Sequence, residues 1–218
     1  NQRRNLNFLA YASTDDLQVV QLATEDIPSV TVGEGRDGPL AVGRTDAWVK
    51  YGELSPHFGS FRDVFLLDMA TGEAELILEK TAGSPSFSTA GKYLTWWDNI
   101  ELHYMVMDLG TREVRNLTSD LPYPVYREDD DRPAPPGAHG TAGWLEDDEA
   151  ILVYDKYDIW EVDPTGGDAP RNITEGFGRA NDIRLRRQNV GESGGGSEGI
   201  DSTEDQLLSA YGYHTKKY

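Results

Sequence analysis

One motif recurs three times along the chain and constrains its fold more than any other sequence feature. A β-rich run ends in Asp, a turn containing Thr and often Gly follows, and a second run of alternating apolar residues comes next. The Asp is residue 68, 108 or 163. An Asp at this position can accept hydrogen bonds from backbone N–H groups of the turn, and Gly tolerates the positive φ that such turns need. The motif therefore predicts three β-hairpins.

Two further strands precede each hairpin. The nearer one is rich in aromatic and β-branched residues, and the more distant one is shorter. The nearer strands are 47–51, 93–97 and 150–154, and the more distant ones are 40–43, 85–88 and 141–145. Polar turns such as 88–92 and 146–149 join the two strands, as antiparallel meanders require. Each unit therefore contains four strands.

The spacing of the motif indicates the fold class. Asp68 and Asp108 are about 40 residues apart, the length of one propeller blade, and Asp108 and Asp163 are about 55 apart because of an insertion. We expect an all-β chain made of β-propeller blades of four antiparallel strands in a partial ring. A β-sandwich is the alternative, but four-stranded units repeating at this period fit a propeller better than a Greek key.

The repeat divides the chain, residues 1–218, as a single partial propeller. The predicted parts are an incomplete blade at 1–35, blades at 40–80, 84–120 and 139–178, an acidic, Pro-rich insertion at 121–138, and the start of a further blade at 179–218 with a Gly/Ser-rich loop at 189–205. We expect the insertion and the loop to lie outside the blades. Seven or eight blades would need roughly 280 to 320 residues. The chain alone is therefore expected to be marginally stable or self-associating.

Composition excludes several functions. The chain has 38 acidic and 20 basic residues, and its formal charge of -18 repels phosphate backbones and anionic lipids. It lacks the run of roughly 18 apolar residues that a membrane helix needs. It contains no Cys, which excludes disulfides, thiol catalysis and Cys-based metal sites. We therefore expect neither nucleic-acid binding nor membrane insertion.

Two stretches carry a resemblance to known proteins. The run 84–88 followed by Gly91-Lys92-Tyr93-Leu94 is similar to a strand-turn-strand found in many propellers. The stretch from Arg115-Asn116-Leu117-Thr118 through Gly143-Trp144 to Tyr154-Asp155-Lys156-Tyr157-Asp158-Ile159-Trp160 and Asp163-Pro164 is longer. It resembles the propeller of bacterial prolyl oligopeptidase-like serine peptidases, especially those of Bacteroidetes, over roughly residues 84–185.

In that family the propeller sits over an α/β-hydrolase domain and limits which peptides reach a Ser-Asp-His triad. The resemblance implies a non-catalytic segment of an exported protein, periplasmic or at the cell surface. Its partners would be the remaining blades and the hydrolase domain of the same parent protein, with a peptide as the substrate. The alternative is a stand-alone binding or scaffold propeller in a secreted or cell-surface assembly. An enzyme formed by this chain alone ranks last, and no triad residue can be carried over to it.

One motif formally satisfies a nucleophile pattern. Residues 191–195 match G-x-S-x-G around Ser193, but a nucleophile elbow needs an apolar strand before the Ser and a helix after it. The flanks here are Arg-rich on one side and Gly/Ser-rich on the other, which favours a linker or a mobile loop. We therefore predict no catalytic residue.

Metal and cofactor sites are not predicted either. The four histidines, His57, His103, His139 and His214, lack zinc-site spacing, and His103 is expected to be a packing or cross-strand residue. The acidic clusters 128–131 and 146–149 could bind calcium, but they lack the EF-hand order and are interpreted as solvated turns.

The aromatic residues allow two interpretations. They could form a carbohydrate or peptide platform, but in alternating strands most of them should fill the space between blades. Trp96 and Trp97 are neighbours and must point to opposite faces. The set comprises Trp48, Trp96, Trp97, Trp144, Trp160, Tyr154 and Tyr157.

Overall fold

The computed structural model describes residues 8–14, 17–33, 38–45, 61–188 and 199–214. The chain divides into two compact units, Asn1–Ser86 and Phe87–Tyr218. The predicted strand at 47–51, Trp48, His57 and Ser193 lie outside the described residues.

The first unit contains a strand pair and one four-stranded sheet. Strands β1 (Ala10–Ala12) and β2 (Val19–Gln21) pair antiparallel. Strands β3 (Ser29–Val32), β4 (Leu40–Arg44), β5 (Arg62–Asp68) and β6 (Ala74–Thr81) form an antiparallel sheet in chain order. Its core includes the buried residues Leu22, Ala41, Leu67 and Met69.

The strand order in this sheet corrects the sequence analysis. Leu40–Arg44 is the second strand, because β4 pairs with β3 on one side and with β5 on the other. The prediction that 40–43 forms the outer strand is therefore wrong, and the sheet begins at Ser29. Strand β3 has only four residues, which alternate between exposed and half-buried. Its alternation of Val with polar residues is therefore a strand signal of minimal length, shorter than that of the central strands.

The second unit contains two more four-stranded sheets. One has β7 (Ser86–Phe87), which spans the unit boundary, β8 (Tyr93–Asp98), β9 (His103–Asp108) and β10 (Val114–Asn116). The other has β11 (Thr141–Trp144), β12 (Ile151–Tyr154), β13 (Ile159–Val162) and β14 (Arg171–Asn172). Strands β15 (Ile183–Arg187) and β16 (Leu208–Gly212) form a further antiparallel pair. Helical structure among the described residues consists of α1 (Phe177–Asn181) and a 3-10 turn at Glu146–Asp148.

The three Asp hairpins form as predicted. Asp68 Oδ1 accepts bonds from the backbone N–H groups of Ala70 and Thr71 at 2.9 and 2.8 Å. Asp108 and Asp163 accept equivalent bonds in their own turns. The four-stranded antiparallel meander is the blade architecture of β-propellers. The predicted fold class, all-β with propeller blades of four antiparallel strands, is confirmed. We call β3–β6, β7–β10 and β11–β14 the first, second and third blades.

Aromatic side chains fill the space between the second and third blades. Tyr93 of β8 and Trp144 of β11 stack with ring centroids 5.6 Å apart and planes 2° apart. Val106, Ile151, Val153, Trp160 and Val162 complete most of this shared core. Such aromatic pairs stabilise a core by about 0.5–1.5 kcal/mol beyond area burial. For Trp144 and Trp160, the interpretation as core residues is supported.

The acidic insertion at 121–138 does not lie wholly outside the blades. It contributes one isolated antiparallel bridge, between Tyr126 and Ala138. Val125, however, is only 1% exposed and belongs to the core shared by the second and third blades, and Leu121 packs against it. The prediction is wrong for this part because a single buried valine is enough to anchor a loop whose overall composition is polar.

The predicted loop at 189–205 also contains an anchor. Residues 189–198 lie outside the described residues. Ile200 is buried, its N–H donates to the carbonyl of Trp144 at 2.8 Å, and its carbonyl accepts from the N–H of Glu146 at 3.1 Å. At Ile200 the expectation of a loop outside the blades is therefore wrong. The close approach needs Gly199, since a Cβ there would lie 2.4 Å from backbone atoms of Glu146.

Candidate functional site

Two fully buried carboxylates lie in and beside the turn between β12 and β13. Both Asp155 and Asp158 have no exposed surface. Asp155 Oδ1 accepts bonds of 2.6 Å from the N–H groups of Tyr157 and Asp158. Its Oδ2 accepts bonds from Trp160 Nε1 at 3.1 Å and from Arg179 Nη2 at 3.0 Å. Buried ionised groups need this degree of pairing to be tolerated.

Asp158 holds the short helix against the blade. Its Oδ1 accepts bonds from Thr174 Oγ1 at 2.8 Å and from the N–H of Gly178 at 2.9 Å, and its Oδ2 accepts from the N–H of Arg179 at 3.1 Å. These N–H groups in the first turn of α1 have no partner within the helix. Asp158 thus caps α1 from a distant part of the sequence and fixes the direction of Arg179.

Arg179 connects the buried acids to a surface cleft. Its guanidinium pairs with Asp155 and lies over the ring of Tyr123, with the Cζ atom 3.5 Å from the ring centroid. The side chain is 29% exposed. Among the described residues its Nε atom is buried without a hydrogen-bond partner. Arg179 is therefore held by an ion pair and a ring contact while part of its side chain stays at the surface.

The cleft beside Arg179 has a volume of about 470 Å³, within the range of small-ligand sites. Tyr123 of the insertion and Trp160 of β13 contribute aromatic rings with centroids 6.3 Å apart and planes inclined by 57°. Asn172 and Glu175 contribute polar groups to the wall. Apolar rings next to amide, carboxylate and guanidinium groups suit a ligand with both apolar and hydrogen-bonding parts.

The acidic cluster 146–149 has a different role from the one predicted. Asp148 is buried rather than solvated, and its carboxylate accepts a bond of 2.6 Å from Ser88 Oγ. In the other cluster, Asp130 pairs with Arg132, and this hydrogen bond lowers the pKa of Asp130 to about 2. No group of three or more His, Asp or Glu residues in the described part of the chain could hold a metal ion.

The structure does not bring the described histidines together. His103 Nδ1 lies 3.0 Å from Thr118 Oγ1, and His214 Nε2 lies 3.1 Å from Asp182. His139 is half-buried, and its Nε2 has no partner among the described residues. Burial, followed by the charge of Arg186, lowers the pKa of His139 to about 4.

Sequence reasoning missed the residues of the cleft as a group. Trp160 belongs to the aromatic set that could form a ligand platform, but the sequence favours a core role for it, and the spacing of Asp155 and Asp158 indicates a turn rather than a site. No sequence pattern indicated that Arg179 and Tyr123 would meet, because their contact joins an insertion to a helix 56 residues further along the chain.

No protein-family model and no curated protein matches the chain. A structure described as TolB from Agrobacterium tumefaciens is similar, with a TM-score of 0.45 and 14% identity over 98% of this chain and 73% of that chain. TolB from Acinetobacter baumannii gives 0.44 and 16% over 96% and 47% of the two chains. Oligogalacturonate lyase from Vibrio parahaemolyticus gives 0.41 and 17% over 77% and 46%.

These neighbours are β-propeller proteins. The identities are low, and the alignments span less than half of two of these chains. We therefore assign this chain to the class of β-propeller proteins from its own four-stranded sheets. Within the described residues no helix is long and apolar enough to cross a membrane.

Proposed function

We propose that the chain is a non-catalytic propeller segment of a prolyl oligopeptidase-like serine peptidase and guides peptides toward a hydrolase domain. It contributes no chemical step itself. The parent protein would be exported, and the remaining blades and the hydrolase domain would be its partners. The sequence resemblance over roughly residues 84–185 motivates this proposal.

The cleft beside Arg179 is the observation that best supports a role in peptide binding. Aromatic-lined grooves accept the rings of Pro-rich peptides, and the polar groups between the rings can pair with peptide N–H and C=O groups. Tyr123 and Trp160 provide the rings, and Asn172 provides an amide. The ion pair between Asp155 and Arg179 keeps the wall rigid because both partners are held by further contacts.

A stand-alone binding or scaffold propeller is the second candidate. The same cleft favours it equally, because a ligand site does not require a neighbouring catalytic domain. The reading frame that encodes this chain separates the two candidates. An encoded α/β-hydrolase region with a Ser-Asp-His triad supports the peptidase, and a frame without one supports the scaffold.

The access role is tested in the parent protein with the Tyr123→Ala variant. We expect kcat/KM for a proline-containing peptide of about ten residues to change at least threefold, while hydrolysis of a small chromogenic ester stays unchanged. Ile100→Ala, which truncates another exposed side chain, is the control and should alter neither. Equal changes for peptide and ester would reject a role in access.

The proposal that this chain catalyses no reaction itself has a separate test. A fluorophosphonate probe should leave this chain unlabelled at Ser193, because the sequence around that Ser is Arg-rich on one side and Gly/Ser-rich on the other and lacks the apolar strand signal that a nucleophile elbow needs. Labelling at Ser193 would overturn the non-catalytic assignment.

A further inference from the structure

Basic and aromatic side chains form one continuous surface on the second unit. Arg184 and Arg186 are alternate residues of β15 and therefore project from the same face. Their Cζ atoms lie 5.2 Å from the ring of Tyr211 and 4.4 Å from the ring of Tyr154. Lys156 Nζ lies 5.8 and 5.6 Å from the rings of Tyr157 and Tyr213. Tyr154 is buried, so we call the other six residues the basic hairpin face.

The rings make this face a single surface rather than a set of separate contacts. Tyr213 meets Tyr157 and Tyr211 edge to face, with centroids 5.7 and 5.6 Å apart. Each cation lies over a neighbouring ring, an arrangement that orients a guanidinium or ammonium while leaving its other donors accessible. None of the residues that line the Arg179 cleft belongs to this face.

The cations of this face are poorly neutralised. Arg186 donates to the carbonyl groups of Leu185 and Asp155 rather than to a carboxylate. Among the described residues, neither Arg184 nor Arg186 has a carboxylate within ion-pair distance. Lys156 lies 3.9 Å from Asp129, at the limit of an ion pair.

The nearby acids are engaged elsewhere. Asp155 pairs with Arg179, and Asp182 contacts His214 and the hydroxyl of Tyr157. Burial, followed by the charge of Arg184, lowers the pKa of Arg186 to about 10. A bound anion would therefore relieve the repulsion between the two guanidinium groups.

We propose that the basic hairpin face binds an acidic peptide in extended conformation. Alternate side chains of a strand are about 6.6–6.8 Å apart, and the same spacing separates alternate carboxylates of an extended Glu-x-Glu peptide. Arg184 and Arg186 can thus each pair with one carboxylate, while the side chain of the intervening residue points away from the face. A chain with a charge of -18 repels long polyanions, which favours a short peptide over a nucleic acid or an anionic lipid surface.

Binding is measured by fluorescence anisotropy with labelled Gly-Glu-Gly-Glu-Gly-Glu-Gly at low ionic strength. We expect saturable binding that weakens as salt increases. The peptide with Gln in place of Glu should bind at least tenfold more weakly, and Arg184→Gln should weaken binding of the Glu peptide at least fivefold. Circular dichroism and thermal melting verify that the variant remains folded.

Arg171→Gln is the matched control because it removes the same charge from an exposed Arg on β14. It should change affinity less than twofold. Equal losses of peptide affinity in Arg171→Gln and Arg184→Gln would show that only the net charge matters and would overturn the proposal. So would equal binding of the Gln peptide, or tighter binding to a single-stranded oligonucleotide or to phosphatidylserine vesicles. None of these results depends on the Tyr123→Ala assay, so the two proposals fail separately.

Discussion

The buried carboxylate of Asp148 accepts a hydrogen bond of 2.6 Å from the hydroxyl of Ser88 and thereby joins the second and third blades. The same carboxylate accepts bonds from the N–H groups of Ala90 and Lys92 at 2.8 and 3.0 Å. One side chain of the third blade thus satisfies three donors in the turn that precedes β8. The two blades are held together by this polar contact as well as by their shared apolar core.

Replacing Asp148 with Asn should destabilise the chain by about 1–3 kcal/mol, because a charge-assisted acceptor is replaced by an amide that presents two further donors. Asn also tolerates the positive φ of this position, 56°, so the change probes the hydrogen bonds rather than the backbone. The measurement is the free energy of unfolding from urea denaturation.

Asp147→Asn is the control for this experiment. Asp147 is an exposed neighbour with a similar φ of 53°, and its replacement should alter stability by less than about 0.5 kcal/mol. Equal stability of the two variants would show that the Asp148 carboxylate contributes little to the contact between the blades.

Gly178→Ala should destabilise the chain by about 2–4 kcal/mol. A Cβ at this position would lie 2.7 Å from the carbonyl oxygen of Ile183 and 2.8 Å from Asp158 Oδ1, so either the helix or the capping carboxylate must move. Gly137→Ala is the control, since a Cβ there meets nothing within 4 Å. A decrease of less than about 1 kcal/mol in the free energy of unfolding of Gly178→Ala would mean that α1 can shift at little cost.

The sequence predicted the parts of the fold that depend on local chemistry. The turns after Asp68, Asp108 and Asp163 form because an Asp side chain bonds to N–H groups two or three residues away. The central strands were identified by their apolar and β-branched residues. The edge strand β3 was missed because it has only four residues, although three of them are β-branched.

The cleft could not be predicted because its contacts are non-local. Asp158 is bonded to Gly178 and Arg179, about 20 residues away in sequence, and Tyr123 reaches Arg179 only after the insertion folds back. Likewise, Asp148 is hidden in a run of four acidic residues that reads as solvated. Its burial depends on donors that lie one blade earlier in the chain.

Val125→Ala should increase trypsin cleavage after Arg127, at the beginning of the acidic part of the insertion. The substitution removes two methyl groups from a fully buried site, which should cost about 1–3 kcal/mol and detach the insertion from the core more often. The initial rate of cleavage at this bond, followed by mass spectrometry under native conditions, is the measurement.

Val114→Ala serves as the control for the proteolysis experiment, because Val114 is 41% exposed and its truncation should leave the cleavage rate nearly unchanged. If Val125→Ala is cleaved no faster than the control, the insertion is held by contacts other than Val125.

His139 should make the stability of the chain depend on pH between about 4 and 6.5. Its pKa is about 4 in the folded chain and about 6.5 in an unfolded chain. Within this window the unfolded state binds a proton that the folded state does not. Stability therefore rises with pH across the window and is lost as the pH falls toward 4. Below pH 4 both states are protonated, and this contribution stops changing.

The test compares unfolding free energies of the unmodified chain and of His139→Gln at pH 4.5 and pH 8. Because the imidazole is partly exposed, solvent screening reduces the effect, and we expect the loss of stability between the two pH values to be smaller in the variant by about 1 kcal/mol. The carboxylates titrate equally in both proteins, so the difference between them isolates His139. An NMR titration of the ring protons gives the pKa of the folded chain directly. A value near 6.5 would mean that the imidazole is solvated and that burial does not control its protonation.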